Sequence, residues 1–176
     1  MTKTAIAKIN ALDRGAFVEL LGALYEHSPW VAERAFVDAP FADERELVGS
    51  LATSVDTASE LDRITLIRSH PELAGEKLRA HALTDSSMSE QASAGFDRLD
   101  PAEIAEWRDL NTAYRERFGF PFVICVRLHT KSEIVAALRR RLAGTRDKEI
   151  AEAAQQIHDI ARLRLDDLLA RLEEQP

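Results

Sequence analysis

Five histidines, one cysteine and thirty acidic side chains give this 176-residue chain several groups able to move protons. Local setting singles out one of them. His70 lies in the string SHPELAG, residues 69–75. The ring of Pro71 pushes the residue before it out of the α region, so a helix arriving there must stop and present the imidazole at its exit. At that end the helix dipole favours imidazolium, which suits a general acid working near neutral pH. A partly exposed helix-end histidine without chemistry fits the same local pattern. His27, His81, His129 and His158 show no metal-ligand spacing and read as structural.

Three further features carry chemical potential. Ser87 and Glu90 form S-x-x-E, the pattern of a capping box, and Gln91 follows. A helix start with a hydroxyl, a carboxylate and an amide is also suited to a small anionic, hydrogen-bonding molecule. Arg164 shares a helical stripe with Ile150, Ala153, Ala154, Ile157, Ala161 and Leu168 at about 100° per residue, whereas Arg162 points away. Arg164 therefore faces inward, toward either an internal carboxylate or a ligand's. The run FPFVICV, residues 120–126, reads first as core filling. Its peptide groups, unused by any helix ladder, need partners, and a planar heterocycle with urea and lactam edges could supply them.

The elements that must position these groups are helical. Phe17, Leu20, Leu21 and Leu24 mark one helix face, with Asp13 as its cap. Ser28-Pro29 predicts a capped start for WVAERAF. Asp43 to about Thr57 and Glu60 to about Ser69 follow, and Pro71 closes that series. Ser87 to about Leu99 reads as helix. Asp100-Pro101 with Glu103 opens the next, which Gly119 stops. Thr130 with Glu133 opens a helix through Leu142, and about Thr145 to Glu173 gives a long last one. FPFVICV alone has strand-like composition, and one strand without a partner makes no sheet. The predicted fold is an all-α, single-domain helical bundle over 1–176 with one extended apolar segment at about 120–126.

Composition excludes several classes. With 45% hydrophobic and 30% charged residues and few Gly or Pro, the chain has the mix of an ordered globular protein. Cys125 has no cysteine to pair with, and no Cys/His cluster has zinc-site spacing, so neither disulfide nor metal is expected. A net charge of -7 opposes binding to nucleic acid. The start lacks the apolar run of about 7 to 15 residues of a secretory signal, and nothing approaches the roughly 20 of a membrane span. The ending LEEQP is not a peroxisomal address. A cytoplasmic protein, bound to neither membrane nor nucleic acid, is the expectation.

Taken in order, FVELLGALYEHSPWVAERAF, SHPELAG, SSMSEQASAGF, RFGFPFVICV and EIAEAAQQIHDIARLRLDDLL resemble the 2-oxo-4-hydroxy-4-carboxy-5-ureidoimidazoline (OHCU) decarboxylase family of urate catabolism. The resemblance spans nearly the whole chain. It implies an all-α homodimer that converts OHCU to (S)-allantoin and carbon dioxide without a cofactor. It puts the catalytic pair on His70 and Glu90. The substrate would be bound by Pro71, by Ser87, Met88, Ser89, Glu90 and Gln91, by the segment Phe122, Val123, Ile124, Cys125 and Val126, and by Arg164. Such a substrate can hold the electron pair released with carbon dioxide in its own ring C=N, which accords with the expectation of no cofactor. The rival readings are a related lyase on another ureido acid and a non-catalytic helical interaction module whose inward arginine sits in a structural ion pair.

Overall fold

The computed structural model describes residues 2–76 and 83–174, and His81 lies outside them. All the elements among the described residues are helices and short 3-10 turns, as the sequence predicts. The chain divides into two compact units, residues 1–69 with 158–176, and residues 70–157.

The first unit holds α1 (Thr2–Asn10), α2 (Arg14–Leu21), α3 (Trp30–Ala35), α4 (Glu44–Asp56) and α5 (Glu60–Ser69). It also takes the part of α9 (Arg146–Glu174) that begins at His158. Local chemistry sets most of these boundaries. Asp13 accepts the Ala16 amide at 2.9 Å and Asp43 the Glu46 amide at 2.9 Å, so both act as N-caps. Ser28 does not. Its hydroxyl donates to the Glu26 carbonyl at 3.0 Å, and α3 starts without a side-chain cap. The helix α1 is an addition to the predicted set, and it buries Ala5, Ile6 and Ile9. Phe17 meets Phe36 edge-on at 5.2 Å and stacks on Phe41 at 6.1 Å, while α3 and α4 pack along each other.

The second unit holds α6 (Asp85–Ser93), α7 (Pro101–Phe118), α8 (Lys131–Leu142) and α9 as far as Ile157. The helix predicted from Ser87 to about Leu99 is shorter and starts earlier. Thr84 is its cap, accepting the Ser87 amide at 3.3 Å. Gly95 ends it at φ +81°, in the left-handed region where glycine has no Cβ to clash. A 3-10 turn then covers Phe96–Arg98. The predicted caps of α7 and α8 are present as full capping boxes, Asp100 with Glu103 and Thr130 with Glu133. Gly119, also left-handed, closes α7.

Between α7 and α8 the run from Phe120 to Val126 is buried, and residues 121–125 are neither helix nor strand. Aromatic contacts seat it. Tyr114 of α7 meets Phe122 at 5.4 Å, and Phe118 stacks on Phe120 at 6.1 Å. The extended apolar segment is therefore core, with each ring packed against α7.

Candidate active site

His70 is the first residue after α5, where Pro71 forces the chain out of helix. It is 6% exposed, so the partly exposed helix-end alternative does not describe it. The loop that carries it, residues 70–75, is tightly folded. Ala74 sits at φ +54°, and a Cβ on Gly75 would stand 3.1 Å from the Cβ of Glu72 and 3.2 Å from its carbonyl oxygen. The left-handed alanine stores local strain, which persists only where surrounding contacts over-determine the backbone.

Those contacts come from α6 and α7. The Gln91 side chain accepts the Ala74 amide at 3.0 Å and donates to the Glu72 carbonyl at 3.4 Å. Asn111 donates from Nδ2 to the Leu73 carbonyl at 2.8 Å, and Arg115 forms an ion pair with the Glu72 carboxylate. Both amide side chains are buried, at 3% and 4% exposure. Two successive peptides beside His70, 72–73 and 73–74, are thus held by side chains from two different helices.

On α6, Ser87 and Gln91 are one turn apart and both buried, so they share the inward face. Met88 and Glu90 are half-buried on its flanks, and Ser89 is exposed. Ser87 is therefore not the capping serine of a capping box. Thr84 does that work, and Ser87 lies in the first turn of the helix. The helix also packs beside the 3-10 turn Val126–Leu128 that ends the extended segment. The second unit so gathers the His70 loop, Ser87, Gln91 and residues 122–126.

The segment's peptide groups find partners within the protein. Val123's carbonyl accepts from Arg141 Nη1 at 2.8 Å, and the Cys125 amide donates to Gln156 Oε1 at 2.9 Å. Arg141 in turn donates from Nε to Glu149 Oε2 at 2.8 Å and from Nη2 to the Tyr114 hydroxyl at 3.3 Å. Burial, opposed by the nearby Arg141 charge and reinforced by Glu149, pushes the Tyr114 phenol well above its ordinary range. It stays a neutral hydroxyl, able to donate to Glu149.

Arg164 belongs to the first unit, where it is 6% exposed while Arg162 faces solvent. Helical phase identified the inward one. Its Nη1 lies 3.1 Å from Glu26 Oε2 and 3.4 Å from the Leu24 carbonyl. Of the two partners the sequence allows, an internal carboxylate is present. The Glu26 carbonyl accepts from the hydroxyl of Ser69 at 2.6 Å, so one residue ties Arg164 to the residue preceding His70 in the chain.

Sequence reading missed Glu26, Asn111, Arg141 and Glu149. Arg141 had a usable signal: Ile134, Ala137, Leu138 and Arg141 fall at i, i+3, i+4 and i+7, the test that found Arg164. Among the described residues no three His, Cys, Asp or Glu side chains gather as a metal-binding group.

Comparison with known proteins agrees with the resemblance read from the sequence. The chain is 41% identical over 165 residues to a 2-oxo-4-hydroxy-4-carboxy-5-ureidoimidazoline decarboxylase of Haloferax volcanii, covering 94% of this chain and 96% of that one. To the protein of the same name from Mus musculus it is 35% identical over 164 residues, covering 93% and 92%. A crystal structure of (S)-allantoin synthase superposes with a TM-score of 0.74 at 29% identity, over 93% of this chain and 53% of that one, so this chain spans about half its length. An OHCU decarboxylase crystallised in the presence of (S)-allantoin shares the fold, with a TM-score of 0.65 at 20% identity over 80% and 91% of the two chains. The family model for OHCU decarboxylase matches from residue 10 to residue 166, through both units, and this chain belongs to that family.

Proposed function

We propose that this protein decarboxylates OHCU to (S)-allantoin in urate degradation, with His70 as general acid/base and proton donor. The observation that carries the reading is a buried histidine on a strained loop whose neighbouring peptides are pinned by Gln91 and Asn111. Fixing a proton donor to within a fraction of an ångström is what a stereospecific proton transfer needs.

Decarboxylation breaks the bond between the ring carbon and the carboxylate, and the electron pair stays on the ring. The adjacent C=N of the substrate accepts it, giving an enolate-like species. His70 then delivers a proton to one face of the neighbouring ring carbon, the former C=N carbon that bears the ureido group, while the 4-hydroxyl gives up its proton and becomes the carbonyl, which makes the product chiral. Glu90 holds the 4-hydroxyl or steers the proton. Directed hydrogen bonds from the protein stabilise the charge as it develops. Ser87 and Gln91 address the ureido and ring amides, together with Pro71, Met88, Ser89 and the segment 122–126. Gln91 can serve both loop and substrate, since a primary amide has two N–H donors and two lone pairs. Arg164, oriented by Glu26, takes an anionic or carbonyl edge of the substrate.

The family match across residues 10–166 supports treating 1–176 as one functional domain. The family resemblance also supports a homodimer, which light scattering would read as twice the chain mass. No helix among the described residues is long and apolar enough to cross a membrane.

The test generates OHCU in situ with urate oxidase and hydroxyisourate hydrolase and follows (S)-allantoin by circular dichroism. Wild type should accelerate its appearance, and His70→Asn should lose roughly 10²–10⁴-fold in rate while melting as wild type does. No acceleration by wild type, or a folded His70→Asn at the wild-type rate, overturns the proposal.

A further inference from the structure

The buried Arg141 and Glu149 have no part in the chemistry above, yet they stand directly behind the extended segment. They are 5% and 4% exposed. Charge pairs taken out of water are poor stabilisers, since apolar residues of similar volume often do as well or better. What such a pair does supply is direction.

Arg141 uses its planar fork in three directions: to Glu149 at 2.8 Å, to the Val123 carbonyl at 2.8 Å and to the Tyr114 hydroxyl at 3.3 Å. Its guanidinium also lies 4.6 Å over the Phe122 ring. Two residues on, the Cys125 amide donates to Gln156, whose own amide donates to Glu152 at 3.1 Å. Along an extended chain, peptide groups of residues i and i+2 point to the same side and those of i+1 to the other. Val123 and Cys125 are both anchored to α8 and α9, which turns the peptide groups of Ile124 the opposite way. The helices thereby set which edge of the segment is presented and at what height.

We infer that Arg141, held by Glu149 and Tyr114, is a positioning residue for the decarboxylation, fixing the peptide frame of residues 122–126 against which the substrate's amide edges are read. This rests on the functional reading above. Arg141 acts only through the segment. Lysine in its place would keep the charge beside Glu149 but lose the three-way geometry.

Arg141→Lys and Glu149→Gln test it, with Michaelis kinetics on OHCU and amide hydrogen exchange measured on the same preparations. Loosened peptide groups should raise KM by about tenfold, one hydrogen bond's worth of binding, and speed exchange within 122–126 but not across α7 and α8. A residue that merely stabilised the fold would lower the folded fraction, reducing apparent kcat without moving KM. KM within about twofold of wild type and unchanged exchange in 122–126 in a folded variant overturn the inference. If Arg141→Lys fails to fold, Glu149→Gln decides alone. A wild-type protein without activity on OHCU would defeat the functional reading, whereas an active wild type whose folded variants keep KM and exchange unchanged would defeat the positioning role alone.

Discussion

Asn111 offers the sharpest test of how the His70 loop is held. Its Nδ2 donates to the Leu73 carbonyl at 2.8 Å, while its Oδ1, equally buried, accepts no hydrogen bond from the described residues. Asn111→Asp changes one atom and reverses the electrostatics. The introduced carboxylate would face a carbonyl where the donor was, with no N–H to stabilise its other oxygen. Burial and the facing carbonyl both favour the neutral acid, so its folded-state pKa must rise above the unfolded value of about 3.9. The native state then holds the proton more tightly than the unfolded state. Stability is greatest below the unfolded pKa and falls by roughly 1.4 kcal/mol per pH unit as pH rises, until the folded carboxyl ionises. Between about pH 4.5 and about pH 6.5 the variant should lose at least about 2 kcal/mol relative to wild type, or about 4–8 °C in Tm. Asn111→Leu is the control, leaving the Leu73 carbonyl without this donor at a cost of about 1–3 kcal/mol that does not depend on pH. Thermal melts of the three proteins across that range measure all of this. A constant difference between Asn111→Asp and wild type from acid to neutral pH would refute the reasoning, because it would mean that the carboxylate is accommodated or solvated at this position.

Two further outcomes follow from the first unit. Glu26→Gln removes the charge facing Arg164 at 3.1 Å, where the side chains are 3% and 6% exposed, and should cost about 3 kcal/mol, or about 6–12 °C in Tm. Arg162→Ala, which removes only an exposed pair with Asp166, should shift stability by no more than about 0.5 kcal/mol, and equal effects from the two would contradict the burial argument. Glu44 has its pKa raised, first by partial burial and then by the charge of and hydrogen bond to Asp166. Its contribution to stability is therefore complete below its unfolded pKa and is lost as pH rises through the folded one. Glu44→Gln should melt slightly above wild type at neutral pH and level with it in acid, and the opposite order would rule out this origin for the shift.

Much of the fold was legible because helix boundaries are local physics. Asp13, Asp43, the Asp100–Glu103 and Thr130–Glu133 boxes and Gly119 each act within four residues of themselves, so their spacing in sequence is their geometry. The same locality misled where two hydroxyls competed. Ser87 and Thr84 both stand near the start of α6, and it is Thr84 that accepts the amide. Ser28 similarly spends its hydroxyl on the Glu26 carbonyl, in a turn that its spacing to Trp30 does not reveal. The inward phase of Arg164 was legible from a 3.6-residue period, but not the identity of its partner, since Glu26 is 138 residues away.

His70 illustrates the division. The sequence by itself determined that it follows a helix and precedes a proline, that the run at 120–126 is apolar and outside any helix, and which arginine of LRL turns inward. Those are properties of short periods and of single-residue sterics. Only the tertiary structure decided that His70 is buried, that Gln91 and Asn111 grip the peptides 72–73 and 73–74, and that Arg141 and Glu149 stand behind Val123. Each of these joins residues from 8 to 38 positions apart, and a hydrogen bond over such a span depends on how helices pack, which no local period encodes.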